Sequence, residues 1–482
     1  MANDLELLTD AQMQQFIREG YLLIQADFAR PVHQEIYEQL ERMLEQEKNP
    51  GNNLLPRVPQ IQQVYNHPTV CGALTSLLGP NYLMNPHRYG HLNLPGSPGQ
   101  HWHKDNYVFD EIIRHPRPRW VFAFYYPQDV TADMGPTGIL PGKHYYHHIS
   151  SDDPAQTTET ELPLCGPAGT VALVHYDSWH RATANSSAKK RYMLKFLFER
   201  MAEPRQPAWN NASPAWQCDD SDPHAAVNAD VWRWLRGDTA SPAETPEARD
   251  AAPKLLAALE DEAEAVRLNA AYALAALGAP VVPTLIEALR AEAVAMADQI
   301  AAKMPGNPRG SNPAACPAGN ALAAIGLPAV RPLIGLLQDD HWCVRTMAAD
   351  TLGNIGLPAQ EAVPALIQCL DDGHPRVRRH AAEALGRMEQ GAAEAIPALI
   401  AHIRDNDVHV RHNAVLALAK IGLLANEAIP PLLETLEDED RYVRYFAAVA
   451  LRRIGTPEAR EALLDALFTA RWCPLTTGET PY

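Results

Sequence analysis

At 482 residues, 46% of them apolar, the chain is too long for one ordinary core, and about 150 residues per domain predicts roughly two to four units. The formal charge of −17 is shared between the halves, with 21 Lys/Arg against 29 Asp/Glu in residues 1–249 and 20 against 29 in 250–482. Neither half is basic, which argues against nucleic acid or an anionic membrane as a partner. Seven cysteines stand singly with no CxxC pair, the usage of reduced thiols in a cytoplasmic protein. The N-terminus lacks a basic n-region and an apolar h-region, and no stretch approaches eighteen uninterrupted apolar residues, so neither export nor a membrane span is expected.

In chain order, "TDAQMQQFIREGYLLI" predicts a helix capped by Thr9 or Asp10, stopped at Gly20 and followed by an apolar strand. "PVHQEIYEQLERMLEQE" predicts a second helix from the spacing of Ile36, Leu40 and Leu44. From Asn81 the texture changes to short strands between Gly/Pro turns: "YLMNPHRYGHLNL", "WVFAFYYP", "TGILPG", "GTVALVHYD" and "YMLKFLFER". This predicts a sandwich or jelly-roll barrel in residues 1–200 with the two helices packed outside it. Residues 201–249 carry Trp209, Trp216, Trp232 and Trp234, too many indoles for a free linker, and "ADVWRWLRG" predicts a short helix ended by Gly237.

Residues 250–482 repeat. Val-Arg pairs at 266–267, 344–345, 377–378, 410–411 and 443–444 mark the repeat, and the last four of these arginines are 33 residues apart. Each precedes a small-residue helix such as "VRHNAVLALAKIG", and proline-started helices such as "IPALIAHIRD" alternate with them. The pattern predicts an α-solenoid of about six two-helix repeats, with a capping segment after Pro457. It resembles the short HEAT-like repeat of phycobilisome-lyase-type proteins. The aspartates before the helices (Asp340, Asp372, Asp407, Asp440) are expected to cap them, and the repeated arginines to bond to the neighbouring repeat's turn.

"QHWHKDNYVFDE" bears the chemistry. On an extended segment residues i and i+2 share a side, so His103 and Asp105 can present an imidazole and a carboxylate to one ion. His175-Tyr176-Asp177 has the same form, so the tripeptide alone decides nothing. A non-haem Fe(II) site needs two histidines and one carboxylate on one face. His180 follows the first pair 77 residues on, and Arg191 stands at the start of the next strand, where its fork can grip both oxygens of a carboxylate. His175 and Asp177 find only His224 before the repeats, with no strand-borne arginine after it, and His175 reads as a packing or supporting residue.

With these motifs in view, residues 8–200 resemble the phytanoyl-CoA dioxygenase family of Fe(II)/2-oxoglutarate oxygenases. "LTDAQMQQFIREGYLLI" is similar to the family's first helix and strand, "WHKD" to its His-x-Asp, "MGPTGILPGKH" to its Asn-Gly-Pro…Pro-Gly-Ser-His, and "HRATANSSAKKR" to its His-Gly-Ser-Gly-x-Asn…Arg. The resemblance implies a double-stranded β-helix (a cupin-like barrel), iron held by His103, Asp105 and His180, and Arg191 on the C5 carboxylate of 2-oxoglutarate. It also implies O2 as cosubstrate, with succinate and CO2 released. Ala182 stands where the family often has a serine that touches the oxoacid, which nominates Thr183 as its substitute; Met134 and Lys143 depart from the Asn and Ser of the second motif. In related halogenases the carboxylate ligand is Ala or Gly, so Asp105 implies hydroxylation or another oxidative C–H step.

Substrate contacts are expected from Asn106 and Tyr107, which adjoin Asp105, and from His101, Arg88 and Trp120. A polar and aromatic lining suits a small polar or natural-product-like substrate, with the solenoid as a fused structural or docking domain. Two alternatives stand beside this: the same chemistry on a protein or carrier-bound group docked by the repeats, and a non-catalytic repeat scaffold.

Overall fold

The computed structural model describes residues 5–47, 49–105, 115–217, 222–238, 246–303 and 316–469 of the chain. The substrate candidates Asn106 and Tyr107 lie outside the described residues. The chain opens with α1 (Asp10–Glu19), where Thr9 and Gln12 form a reciprocal capping box and Gly20 ends the helix in the left-handed region at φ 78°. β1 (Tyr21–Gln25) and α2 (Arg30–Glu47) follow; α2 buries Ile36, Leu40 and Met43, with Leu44 partly buried against the same core. Three helices absent from the sequence reading come next: α3 (Leu54–Arg57), α4 (Ile61–Tyr65) and α5 (Pro68–Leu78).

Among the described residues seven further strands form two antiparallel sheets with β1: β2 (Leu83–Asn93), β3 (Trp120–Tyr125), β4 (Thr137–Ile139), β5 (Leu162–Pro163), β6 (Thr170–His175), β7 (His180–Ala182) and β8 (Arg191–Glu199). The larger sheet runs β1-β6-β3-β8-β2 and the smaller β5-β4-β7. All nine residues of β8 are buried, as befits a strand covered on both faces. Its even positions meet the helices: Tyr192 lies 5.1 Å from the Tyr37 ring, and Phe196 and Phe198 lie 4.4 and 5.4 Å from Tyr65. Its odd positions, Arg191 and Lys195 among them, therefore face the other way.

The tryptophan segment is ordered where described. Trp209 and Trp216 pack on Trp232 of α6 (Ala225–Leu235), and Trp209 donates to Asp10 at 2.7 Å, tying the segment to α1. Thereafter the described residues are helical: α7 (Pro246–Ala258), α8 (Glu264–Ala275), α9 (Val282–Lys303), α10 (Pro317–Ile325), α11 (Val330–Leu336), α12 (Trp342–Ile355), α13 (Val363–Cys369), α14 (Pro375–Arg387), α15 (Ile396–His402), α16 (Val408–Ile421), α17 (Ile429–Thr435), α18 (Arg441–Ile454) and α19 (Pro457–Thr469). The apolar run Val408–Thr435 is long enough to cross a membrane by composition, but it is α16 and α17 of one repeat joined through a 3-10 turn.

The repeated arginine is a structural rivet. Arg345, Arg378 and Arg411 each fork onto an aspartate of the next repeat, Asp372, Asp405 and Asp438, while also donating to a carbonyl of the turn before their own helix. The capping expectation holds for Asp407 and Asp440 but not for the other two helices. There His341 and His374 occupy the cap position and accept from the helix amides, while Asp340 and Asp372 stand one and two residues before it.

The solenoid closes on one end of the large sheet. Glu199 is paired across to both Leu83 and Trp120, so the start of β3, the end of β8 and the start of β2 lie together. His115 meets Asp350 of α12 at 2.7 Å, and Arg117 and Arg119 donate to Asn354 at 2.6 and 2.9 Å. Glu389 receives the Glu203 amide and Arg205. At the far side, Tyr445 of α18 donates to the Met84 carbonyl at 2.6 Å, and Tyr442 meets His87 at 2.9 Å.

Candidate metal centre

Backbone pairing brings the first two predicted ligands together. His103 and His180 exchange both amide-to-carbonyl bonds, at 3.1 and 3.0 Å, although 77 residues separate them, and their rings stand 4.6 Å apart. Across such a pair the side chains share a face. Asp105 reaches the same place, with its Oδ2 3.6 Å from His180 Nε2. Among the described residues His103, Asp105 and His180 are the group of three whose ligand atoms all lie within 4.8 Å of one another.

The ring tautomers follow from the backbone. His103 Nδ1 lies 3.0 Å from the His101 carbonyl and His180 Nδ1 3.0 Å from the Ser178 carbonyl. A carbonyl only accepts, so each Nδ1 carries the proton and each Nε2 keeps its lone pair, the form that binds a divalent metal. His180 Nε2 is buried with no hydrogen-bond partner among the described residues. Burial, between the rings of Phe122 and Phe124, brings the His180 imidazole down to about 4 despite the opposing pull of Asp105, so the ring is neutral at pH 7. Two neutral imidazoles and a carboxylate fit a non-haem Fe(II) ion.

Arg191 opens β8. It is 1% exposed and donates through Nε and Nη2 to the Gly135 carbonyl at 2.8 and 2.5 Å. Among the described residues it has no carboxylate within ion-pair distance, and burial lowers its affinity for its proton. A guanidinium buried against carbonyls alone is costly, and the carboxylate of an oxoacid would offset that cost. Asn93, paired with Arg191 across β2 and β8, donates to the same Gly135 carbonyl and to that of Thr183. Gly135 has φ 69° and a Cβ there would fall 2.2 Å from Asn93 Nδ2, which explains the glycine in "MGPTG". Asn185 holds the turn before Arg191 through the carbonyls of Asn93 and Lys189.

The other candidates are placed as follows. Thr183 donates its hydroxyl to the Pro136 carbonyl at 2.8 Å, so that group is spent on the loop. His101 is exposed, with its carbonyl on His103. Arg88 is half-buried beside Tyr445 of the solenoid, and Trp120 lies 6.2 Å from the Tyr176 ring. His175 and Asp177 stay out of the cluster: the His175 ring packs on His144 and Phe16.

The sequence reading missed Lys195. Its Nζ lies 2.6 Å from Asp105 Oδ2, and both side chains are nearly buried. The signal was present in "RYMLK": Lys195 is four residues after Arg191, hence on the same face of an apolar strand where a lysine needs a partner. His87 and His91 on β2 also stand near this pair; burial and the Lys195 charge bring them down to about 4 and about 3. Tyr176 adds a hydrogen bond to the Asp105 carbonyl at 3.1 Å.

Residues 6–193 match the family model of phytanoyl-CoA dioxygenase (PhyH). HEAT repeats match in overlapping stretches from 315 to 472, and a PBS lyase HEAT-like repeat at 266–291. No curated protein matches. Solved structures similar to the chain include the non-heme alpha ketoglutarate dependent carbocyclase SnoK from nogalamycin biosynthesis, 17% identical over 42% of this chain and 88% of that one, with a TM-score of 0.34. HygX from Streptomyces hygroscopicus, solved with nickel and 2-oxoglutarate, is 15% identical over 40% and 88%, with a TM-score of 0.35. The epimerase SnoN of nogalamycin biosynthesis is 16% identical over 44% and 93%, also with a TM-score of 0.35. Residues 6–193 thus form a domain of the phytanoyl-CoA dioxygenase family of Fe(II)/2-oxoglutarate-dependent enzymes, carried on a C-terminal run of HEAT repeats.

Proposed function

We propose that the chain hydroxylates, or otherwise oxidises, an unactivated C–H bond of a small polar or natural-product-like substrate, using Fe(II), 2-oxoglutarate and O2 and releasing succinate and CO2. The observation that carries this is one constellation: His103, Asp105 and His180 with converging ligand atoms, and Arg191 buried with no carboxylate within ion-pair distance among the described residues. His103 Nε2, His180 Nε2 and an Asp105 oxygen would hold the iron, and Arg191 the distal carboxylate of the oxoacid. Bound there, the iron and its oxoacid supply the activation of O2 that C–H oxidation requires. The protein's part is placement. The His101 and Ser178 carbonyls fix the two imidazole tautomers, and Lys195 holds the outer side of Asp105. Phe122, Phe124 and Tyr176 keep water from the imidazole side.

The alternative substrate, a protein or carrier docked on the repeats, meets an obstacle. The solenoid face bearing Asn354 and Tyr442 is already in contact with the oxygenase domain, through Arg119 and His87. A macromolecule bound on that face would have to displace the chain's own domain, which favours a small substrate.

The test is anaerobic titration of the full chain with Fe(II) and 2-oxoglutarate, following the weak visible charge-transfer band of the chelate. The band is expected to appear and to shift as small polar candidates are added; in air, succinate is expected to accumulate. Absence of both band and succinate would sink the reading.

A further inference from the structure

Where the end of β8 meets the solenoid there is a cavity of about 760 Å3 that shares no lining residue with the metal centre. Its walls come from the end of α5, the segment 200–209, Leu235 of α6, and the solenoid at 389–390, 420–423 and 453. That volume lies in the range of small-molecule sites, and domain junctions are where such sites concentrate.

The lining is charged unevenly. Four cations border it, Arg200, Arg205, Lys420 and Arg453, against two carboxylates, Glu203 and Glu389. Both carboxylates are committed. Glu203 takes two bonds of 3.1 Å from Arg119 and one of 3.0 Å from Trp234, and Glu389 takes Arg205 at 2.9 Å and the Glu203 amide at 2.8 Å. That leaves Arg200, Lys420 and Arg453 without an ion pair within 4 Å among the described residues.

Each of the three is held by weak means. Arg200, 5% exposed, donates to the carbonyls of Leu77 and Ala202, stacks on the Trp234 ring at 5.0 Å and feels the Glu203 charge at longer range, and its Nε has no acceptor among the described residues. Arg453 donates Nε to the Ala419 carbonyl at 2.7 Å and feels Glu389, which Arg205 already holds, only at longer range. Lys420 feels Glu199, Glu383 and Glu203, and also Arg387, only at longer range. Burial brings the Arg200 guanidinium down to about 10, a sign of poorly compensated charge. Arg200 is buried and Lys420 and Arg453 are half-buried, and such a surplus of positive charge away from bulk water is unfavourable by itself and stands out in a chain of formal charge −17. Apolar surface from Leu78, Leu235, Leu423 and Trp209 lies beside it. At the rim, Glu389 is the non-glycine residue with positive φ among the described residues, at 50°.

We propose that this cavity binds a small organic anion, a phosphate- or carboxylate-bearing metabolite gripped by Arg200, Lys420 and Arg453. Because its walls belong to both regions, the bound anion stabilises their docked arrangement and raises the stability of the whole chain. The site does not depend on how the metal centre is read.

Citrate and pyrophosphate serve as probes of the two anion sources, titrated by calorimetry and thermal melting into the full chain with chelator present, and with sodium chloride at matched ionic strength as control. At least one probe is expected to bind and raise the melting temperature, and the better one assigns the ligand to the carboxylate or the phosphate class. Lys420→Met and Arg453→Met are each expected to weaken binding about tenfold, the loss of one charge-assisted bond. Lys420→Arg restores it, and Arg191→Met leaves it unchanged, which separates this cavity from the oxoacid site. The proposal is overturned if neither probe binds, if sodium chloride reproduces the shift, or if both methionine variants bind as the parent does.

Discussion

The chain writes His-x-Asp twice and uses the two copies for different ends. At His103-Lys104-Asp105 the tripeptide crosses the start of β7, and its side chains converge with His180 under the Lys195 ammonium. At His175-Tyr176-Asp177 it ends β6. The His175 amide bonds to the Gly20 carbonyl, its Nδ1 accepts from the Asp177 amide at 3.2 Å, and its ring fills a gap between His144 and Phe16. The difference lies in the company each keeps. A tripeptide becomes a ligand pair only where the fold adds a third donor and a counter-charge.

The strongest way to break that contrast is to delete one histidine from each copy. His103→Ala is expected to abolish the charge-transfer band of the Fe(II)/2-oxoglutarate complex, while His175→Ala keeps it and lowers the melting temperature through lost packing. If His175→Ala removed the band and His103→Ala did not, the assignment of the two copies would be reversed.

Next in size is Arg191→Met. It removes the proposed fork on the oxoacid but none of the three proposed donors, so Fe(II) should still bind while 2-oxoglutarate weakens about a hundredfold, the loss of a bidentate charge-assisted pair worth roughly 2–3 kcal/mol. Equilibrium titration of each ligand separately reads this. Equal weakening of both would mean that Arg191 supports the metal rather than the oxoacid.

Lys195→Met probes the counter-charge itself. Groups that orient a metal ligand typically contribute 10- to 100-fold in affinity, so Fe(II) binding is expected to drop about tenfold with little change in 2-oxoglutarate affinity once iron is saturating. Unchanged Fe(II) affinity would show that the Lys195 contact with Asp105 gives way when metal binds.

How much of this was legible beforehand depends on the kind of signal. The two regions announced themselves by periodicity, since strand alternation and a 33-residue repeat are written in the order of apolar residues. The set His103, Asp105, His180 and Arg191 was legible through residue types that few other sites need together. Lys195 was passed over because one lysine in an apolar strand looks like an irregularity until its strand-mate Arg191 fixes its face. The contacts of the solenoid with the oxygenase domain could not be read at all. His115 with Asp350 and His87 with Tyr442 join residues 235 and 355 positions apart, and no local pattern encodes such pairs. The caps at His341 and His374 were misassigned because the nearby aspartates, Asp340 and Asp372, stand one and two residues short of the position that Asp407 and Asp440 occupy in the later repeats.

The mildest test leaves the metal centre untouched and asks whether the network joining the two regions holds the fold as ligand geometry holds the site. Burial alone would raise the Glu203 carboxyl, but the Arg119 guanidinium, with Arg387 and Arg200, outweighs it and brings the group down to about 2. A carboxyl lowered in the folded state contributes stability that is present above its unfolded value, near 4.5, and is lost as pH falls towards 2. Glu203→Gln should therefore destabilise the chain by roughly 1–3 kcal/mol at pH 7, and the gap to the parent should narrow between pH 4.5 and pH 3. Urea unfolding at pH 7, 4 and 3 measures it. A gap that stays constant across that window would place the Glu203 contribution in its hydrogen bonds, to Trp234 among others, rather than in its charge.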